Sequence, residues 1–483
     1  MNVLCPVSVG TIFLSVYAAN NEKPIDVKVE VKPVCPMLVH KSAYEGPCRP
    51  GAVSPEEERE SHKKHCDRFV ESVKENLKEE AVMLEPISLE FNEDYKISEN
   101  QWKKLEADLS KTDLILLSGY CRAYGFKRYK KPMALVSHGV GNVDIAAYLR
   151  NNGVEGYAPY DWDELNNLIS LMRVRKAVRQ TKILVVTNRP GGLPTYGVKS
   201  VILGDTLEKK FGVDCKYVSF ENFFEEMDRV ARSESEKKKA SKITDKLINN
   251  ADKVHMNTDY IKNDVDFYLT VKSLMGKYNC NGFTIDCFEI CPTKIPAERE
   301  FLPCLTHSLL KDEGYPSACE MDLNAFLAMA LEMYIAKKSV FMGNPGFDKE
   351  KNLVHINHAE PGLKMKGLPT SDLPYGLSNF TKSGWGTTIK YDFASDKGEK
   401  VTLARFNPAG TKLVVSKGEI TGGSSGLDEI GCSTRVSIRV PNAIEFFHEQ
   451  ANTGHHLAVV YGDYTQELKG LGDLMDFELV EIG

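Results

Sequence analysis

Short apolar runs alternate with amphipathic helical stretches over roughly the first 340 residues; beyond that the apolar runs continue almost alone. In the first part the runs Val3–Val9, Ala81–Leu84, Leu114–Ser118 and Met133–Ser137 predict strands. Ser54-Pro55-Glu56-Glu57 predicts a helix start, with Ser54 as the cap, proline in the first turn and acids beside it. That helix runs through His65 and Phe69 to Leu77. The segment PMALVSHGVGNVDIAAYLRNNG reads as strand, Gly-rich turn, helix and a closing Gly153. A basic helix, LMRVRKAVRQ (171–180), leads into a second alternation: KILVVT, CKYVSF, VHMN, a long helix over Ile261–Tyr278, and NGFTIDCF. The charge run SESEKKKASK (233–242) reads as a solvated helix face or loop. From about residue 341 the strands SVFMG, LVHIN, GTTIKYDF, KVTLARFN, KLVVSKGEIT, STRVSIRV and HLAVVYG are divided by Gly/Pro/Asn/Asp turns, as in an antiparallel sheet or barrel. The pattern therefore predicts two doubly wound α/β domains, 1–175 and 176–340, followed by a β-rich, antiparallel barrel-like domain, 341–483.

Composition changes this picture little. A chain of 483 residues with 42% apolar and 27% charged residues is ordinary for a globular protein of several domains. The net charge of −6 argues against a general nucleic-acid surface. No apolar run is long enough to span a membrane, and the start carries no basic region of the kind that opens a secretion signal. Twelve cysteines without a framework spacing suggest reduced thiols and a cytoplasmic protein.

Candidate chemistry concentrates between Cys304 and Pro361. Glu320 and Asp322 stand just before LNAFLAMALEMYIA, a helix apolar on nearly all faces and hence buried. Capping that helix accounts for Asp322; Glu320, behind the small residues Ala318-Cys319, wants a partner charge or a metal. Gly343-Asn344-Pro345-Gly346 reads as a turn closing one strand, and His358 ends the next. Far downstream lie His455 and His456; in an alternating strand adjacent histidines face opposite ways, so at most one would enter a given site. A glutamate with histidines at element ends suits a divalent ion such as Mn²⁺. Asp286, at the end of FTID, is placed to contact a substrate. The Gly-rich loops GVGN (139–142) and RPGG (189–192) match no nucleotide motif and read as βα turns. CFEIC (287–291) has no second half with structural-zinc spacing.

In order, CLTHSLLKDEGYPSACEMD, MGNPGFD, LVHINHAEPG, GCSTR and TGHHLAVVYGDY resemble the L-fucose/L-arabinose isomerase superfamily, most closely its fucose-isomerase-like proteins. The matching motifs cover roughly residues 280–470; before that only the layout is similar. The resemblance implies a Mn²⁺-dependent aldose–ketose isomerase of an unphosphorylated sugar, working through a cis-enediol. A related lyase or epimerase, or a non-catalytic sugar-binding protein, is the alternative. Carried over, Glu320 is metal ligand and proton carrier, and His456 and His358 are metal ligands. Asn344 stands where the family has an acidic ligand, so Asp322 or Asp286 supplies the acid or the chemistry differs. The family also implies a homo-oligomer, a trimer or hexamer, in which a neighbour helps close the site; His138 and Trp162 are candidates for that role. Arg405, Arg435, Lys364 and Lys366 could receive an anionic group if the substrate carries one, with solvated surface charge the default reading of each.

Overall fold

The computed structural model describes residues 23–46, 51–94, 96–118, 123–136, 139–190 and 206–483. The strand at the centre of the first sheet is one the hydrophobic pattern does not announce. β1 (Val29–Leu38) contains Pro33 and Pro36, yet it pairs on both sides. One side takes β2 (Ala81–Met83) and then β3 (Ile87–Phe91); the other takes β4 (Leu114–Leu117), with β5 (Met133–Ala134) and β6 (Gly156–Tyr157) beyond. Along β1 the odd residues bond towards β2 and β3 and the even ones towards β4, as Leu84 N–H to Val31 O and Ser118 N–H to Val34 O show. Pro33 falls between the last β2 pair, at Val31, and the first β3 pair, at Val34. Pro36 faces the β4 side two residues beyond its last pair, at Val34. Each missing N–H thus sits where no strand asks for it. The expected strand Val3–Val9 lies outside the described residues.

The helix Pro55–Asn76 forms as expected. Ser54 Oγ accepts from Glu57 N–H, and the Glu57 carboxylate accepts from Ser54 N–H at 2.7 Å. Beside it Cys35 and Cys66 are joined in a disulfide, contrary to the expectation that the thiols are reduced. The charge run falls on the exposed helix Glu234–Asn250, with Lys237–Glu234 and Lys239–Glu236 ion pairs.

A second parallel sheet has the order β11-β10-β7-β8, with β7 at Lys182–Val186, β8 at Asp214–Val218, β10 at Gly282–Ile285 and β11 at Ser317–Ala318. The VHMN run does not join it. β9 (Lys253–His255) pairs instead with β14 (Gly376–Asn379), which also pairs with β15 (Thr387–Lys390). The third large sheet closes on itself. β12 (Phe341–Asp348), β13 (Leu353–His358), β18 (Thr434–Arg439), β17 (Lys412–Ser424), β16 (Lys400–Phe406) and β19 (Leu457–Tyr461) form an antiparallel six-stranded barrel, with β20 (Glu478–Glu481) added in parallel on β17. The fold is therefore mixed α/β: parallel sheets followed by an antiparallel barrel.

Two packed layers carry the barrel. Inside it lie Phe341, Val354, Ile356, Leu403, Val436 and Ile438. Its outer face, through Met342, Ala404, Phe406, Ala458 and Val460, packs on the helix Leu323–Ala336, buried from Leu323 through Tyr334. That helix, apolar all round, is the slab between the barrel and the second sheet. Among the described residues no helix is long and apolar enough to cross a membrane.

Candidate active site

The carboxyl ends of parallel strands are where α/β proteins place ligands. Here β10 ends into Asp286 and its parallel neighbour β11 into Cys319-Glu320. Between the end of β11 at Ala318 and the helix Leu323–Ala336 the chain has four residues, Cys319 to Asp322, in which to reverse. It does so through a tight turn in which Glu320 (φ 59°) and Met321 (φ 53°) both adopt the left-handed conformation. Two such residues in a row, neither glycine, are strained and mark a position that the surroundings hold for another purpose.

That turn presents the Glu320 carboxylate, 13% exposed, to both histidines of the downstream pair. Its Oε2 lies 3.7 Å from His455 Nε2 and 3.7 Å from His456 Nε2. The expectation that only one of the pair enters the site is overturned, because β19 begins at Leu457 and the alternation of a strand does not yet apply. The helix Ala443–Thr453 ends at Gly454 (φ 95°), and the two rings follow with centroids 4.0 Å apart. His358, at the end of β13, meets the His456 ring edge-on at 5.5 Å. Glu320, His455 and His456 offer ligand atoms within 4.8 Å of one another, and so do Cys319, Glu320 and His358.

Asp322 has several duties. Its Oδ1 caps the helix by accepting from Ala325 N–H at 3.0 Å. Arg405 donates to both of its oxygens, at 2.9 and 3.2 Å. His456 Nδ1 donates to Oδ2 at 2.9 Å, which leaves the Nε2 lone pair facing Glu320. Despite full burial, the Arg405 guanidinium and His456 hold the Asp322 carboxyl well below the usual carboxylate range. Arg405 is itself buried and also donates to the carbonyls of Thr453 and His456. Expected to receive a substrate anion, it is spent on this corner instead. Arg435, Lys364 and Lys366 are each paired, with Glu429, Asp372 and Asp396.

Burial keeps the imidazoles neutral: it lowers His456 below its ordinary value and takes His358 down to about 3. Neutral imidazole is the form that binds a metal. His456 Nε2 and both ring nitrogens of His358 are buried without a hydrogen bond. Orphaned lone pairs beside a carboxylate make a donor set that fits a divalent ion.

Asn344 does not lie in a turn. β12 runs on through it to Asp348, and Asn344 pairs with Asn357, one residue before His358. Asp286 accepts from the N–H groups of Phe288 and Glu289, starting a one-turn helix. Cys287, from that turn, brings Sγ to 3.5 Å from Cys319 Sγ. Trp162 packs within its own chain, against the cluster that contains Val29, Leu116 and Leu165. His138 lies outside the described residues. Sequence reasoning missed Glu360, two residues after His358. It is fully buried, pushed up to about 8 by desolvation, and ringed by His307, Lys311 and His358. The HINHAEPG block contained it, but nothing in the hydrophobic pattern set it apart.

No protein-family model matches the chain. Curated relatives do. The sulfoquinovose isomerases of Priestia aryabhattai and Priestia megaterium are each 26% identical over 327 residues, 65% of this chain and 68% of theirs. That of Alkalicoccus urumqiensis is 23% identical over 326 residues, 66% of this chain and 69% of its own. Over about two thirds of its length the chain is similar to enzymes named for isomerising a sugar.

Proposed function

We propose that this protein is an aldose–ketose isomerase of an unphosphorylated sugar, and that its substrate is a sulfonated hexose of the kind its relatives are named for. The observation that carries the reading is the convergence of Glu320, His358 and His456, from three elements, on one barrel rim with buried nitrogens left unbonded. These three residues, with the Asn344 amide on the neighbouring strand, would hold a divalent ion such as Mn²⁺. When bound, that ion supplies Lewis-acid stabilisation of negative charge on the sugar oxygens.

The chain's own residues supply the rest. Glu320, on its strained turn, carries a proton between C1 and C2 by way of a cis-enediol. His455, 37% exposed on its side chain, stands against the same carboxylate and serves the oxygens. Asp322, ion-paired and hydrogen-bonded on both oxygens, orients His456 and does not exchange protons itself. Asp286, at the end of β10, contacts the substrate. The protein works as a homo-oligomer.

The test is incubation of 6-sulfo-glucose with the protein and Mn²⁺ in D₂O, followed by NMR. Ketose forms with solvent deuterium at C1, and aldose recovered by the reverse reaction carries it at C2. Glu320→Gln lowers the rate by roughly 10²–10⁴-fold with the fold intact. Undiminished turnover in Glu320→Gln removes Glu320 from the role; ketose that forms without solvent deuterium at C1 removes the proton-transfer route.

A further inference from the structure

His456 and His358 flank Glu320, but only His456 has its second nitrogen fixed, by Asp322 at 2.9 Å. Behind His358 lies a second carboxylate. Glu360 Oε1 is 3.9 Å from His358 Nδ1 and 3.8 Å from Lys311 Nζ, and its Oε2 is 3.7 Å from His307 Nδ1. All four side chains are buried, and neither Glu360 oxygen nor either His358 nitrogen makes a hydrogen bond. Leaving a buried polar group unbonded costs about 1–3 kcal/mol, so a pairing within reach of a small side-chain rotation is favoured. The backbone around Glu360 is held for it. Lys311 Nζ donates to the Glu360 carbonyl at 2.6 Å, and Asp312 accepts from the N–H groups of Leu363 and Lys364. Lys311 and Asp312 end one buried helix, so that helix fixes the loop carrying Glu360 relative to the end of β13.

We propose that Glu360 is a positioning residue: its side chain accepts from His358 Nδ1–H, fixing the tautomer whose Nε2 carries the lone pair on the far side of the ring. His358 is thereby held as His456 is, so that both imidazoles present the same nitrogen. The inference rests on the reading of His358 as a donor to the site, but its first test needs no ion.

In ¹⁵N-histidine-labelled protein, with the His358 signal identified by its loss in His358→Gln, the wild type shows His358 as the Nδ1–H form. The Nε2–H form in the wild type overturns the proposal, whatever the variants do. Glu360→Leu shifts His358 to a mixture and weakens Mn²⁺ binding, measured by titration of the metal-free protein, roughly 10–100-fold. Glu360→Gln, which keeps a carbonyl oxygen, recovers most of both. Glu360→Leu combined with His358→Gln binds Mn²⁺ no more weakly than His358→Gln alone. A tautomer that ignores Glu360→Leu, or losses that multiply in the double variant, overturns it. Wild-type protein that shows the Nδ1–H form but binds no Mn²⁺ leaves this inference standing and removes the metal reading.

Discussion

Two of the imidazoles beside Glu320, those of His456 and His358, are backed by carboxylates in contrasting states. Asp322 is saturated: one cap, two guanidinium bonds and one imidazole bond, all at 2.9–3.2 Å. Glu360 is surrounded by equally polar groups, yet each stands 3.7–3.9 Å away. The cause is the cation. Arg405 presents its planar fork to Asp322 and keeps it ionised. Lys311, a single ammonium, spends its short bond on the Glu360 carbonyl, and desolvation then keeps the carboxyl protonated. One corner is locked; the other can still move.

Breaking the locked corner has the largest effect. Arg405→Leu strands a buried carboxylate and lowers the free energy of unfolding by about 3–5 kcal/mol, read from urea denaturation. An unmoved midpoint would show that the corner does not depend on the pair.

The two corners also respond to pH with opposite sign. Asp322 lies below its ordinary 3.8 in the folded protein, so its contribution is present above that value and is lost as pH falls. Glu360 lies above its ordinary 4.5, at about 8, so its contribution is present at low pH and is lost as pH rises through that window. Denaturation midpoints across pH separate them. Glu360→Gln, which cannot ionise, flattens the loss between about pH 4.5 and 8 by up to about 1.4 kcal/mol per pH unit and leaves the limb below 3.8 unchanged. A loss across that window as steep as in the wild type would assign it to other groups.

Smaller changes sharpen the contrast. Ser317→Ala removes the 2.8 Å bond to His307 Nδ1 at the outer end of the Glu360 corner and costs about 1 kcal/mol in the same assay. Lys239→Ala, on the solvated helix, moves stability by less than about 0.5 kcal/mol. A larger effect there would mean that this face is not merely solvated.

Much of this was legible because it is local. Ser54 and Asp322 announce helix starts by side-chain type and spacing, and both cap as expected. The alternating segments after residue 341 announce an antiparallel sheet, and a barrel closes. What was not legible depends on partners distant in sequence. Pro33 and Pro36 argue against a central strand until the ends of β2, β3 and β4 are known. Gly343–Gly346 has turn composition, but pairing with β13 carries it through as strand. The two histidines enter one site because the strand starts one residue later than alternation assumes. Arg405 has the composition of a surface cation, and only the fold delivers Asp322, 83 residues away, to bury it.

The left-handed turn at Glu320 and Met321 has a consequence for how this sequence can drift. Glycine adopts that conformation without the Cβ penalty, so at position 320 it would relax the backbone by roughly 1 kcal/mol. Substitutions filtered only for folding would therefore move position 320 towards glycine. A glutamate persists there only under a demand that folding does not make, and at this position thermal stability and function pull the sequence in opposite directions.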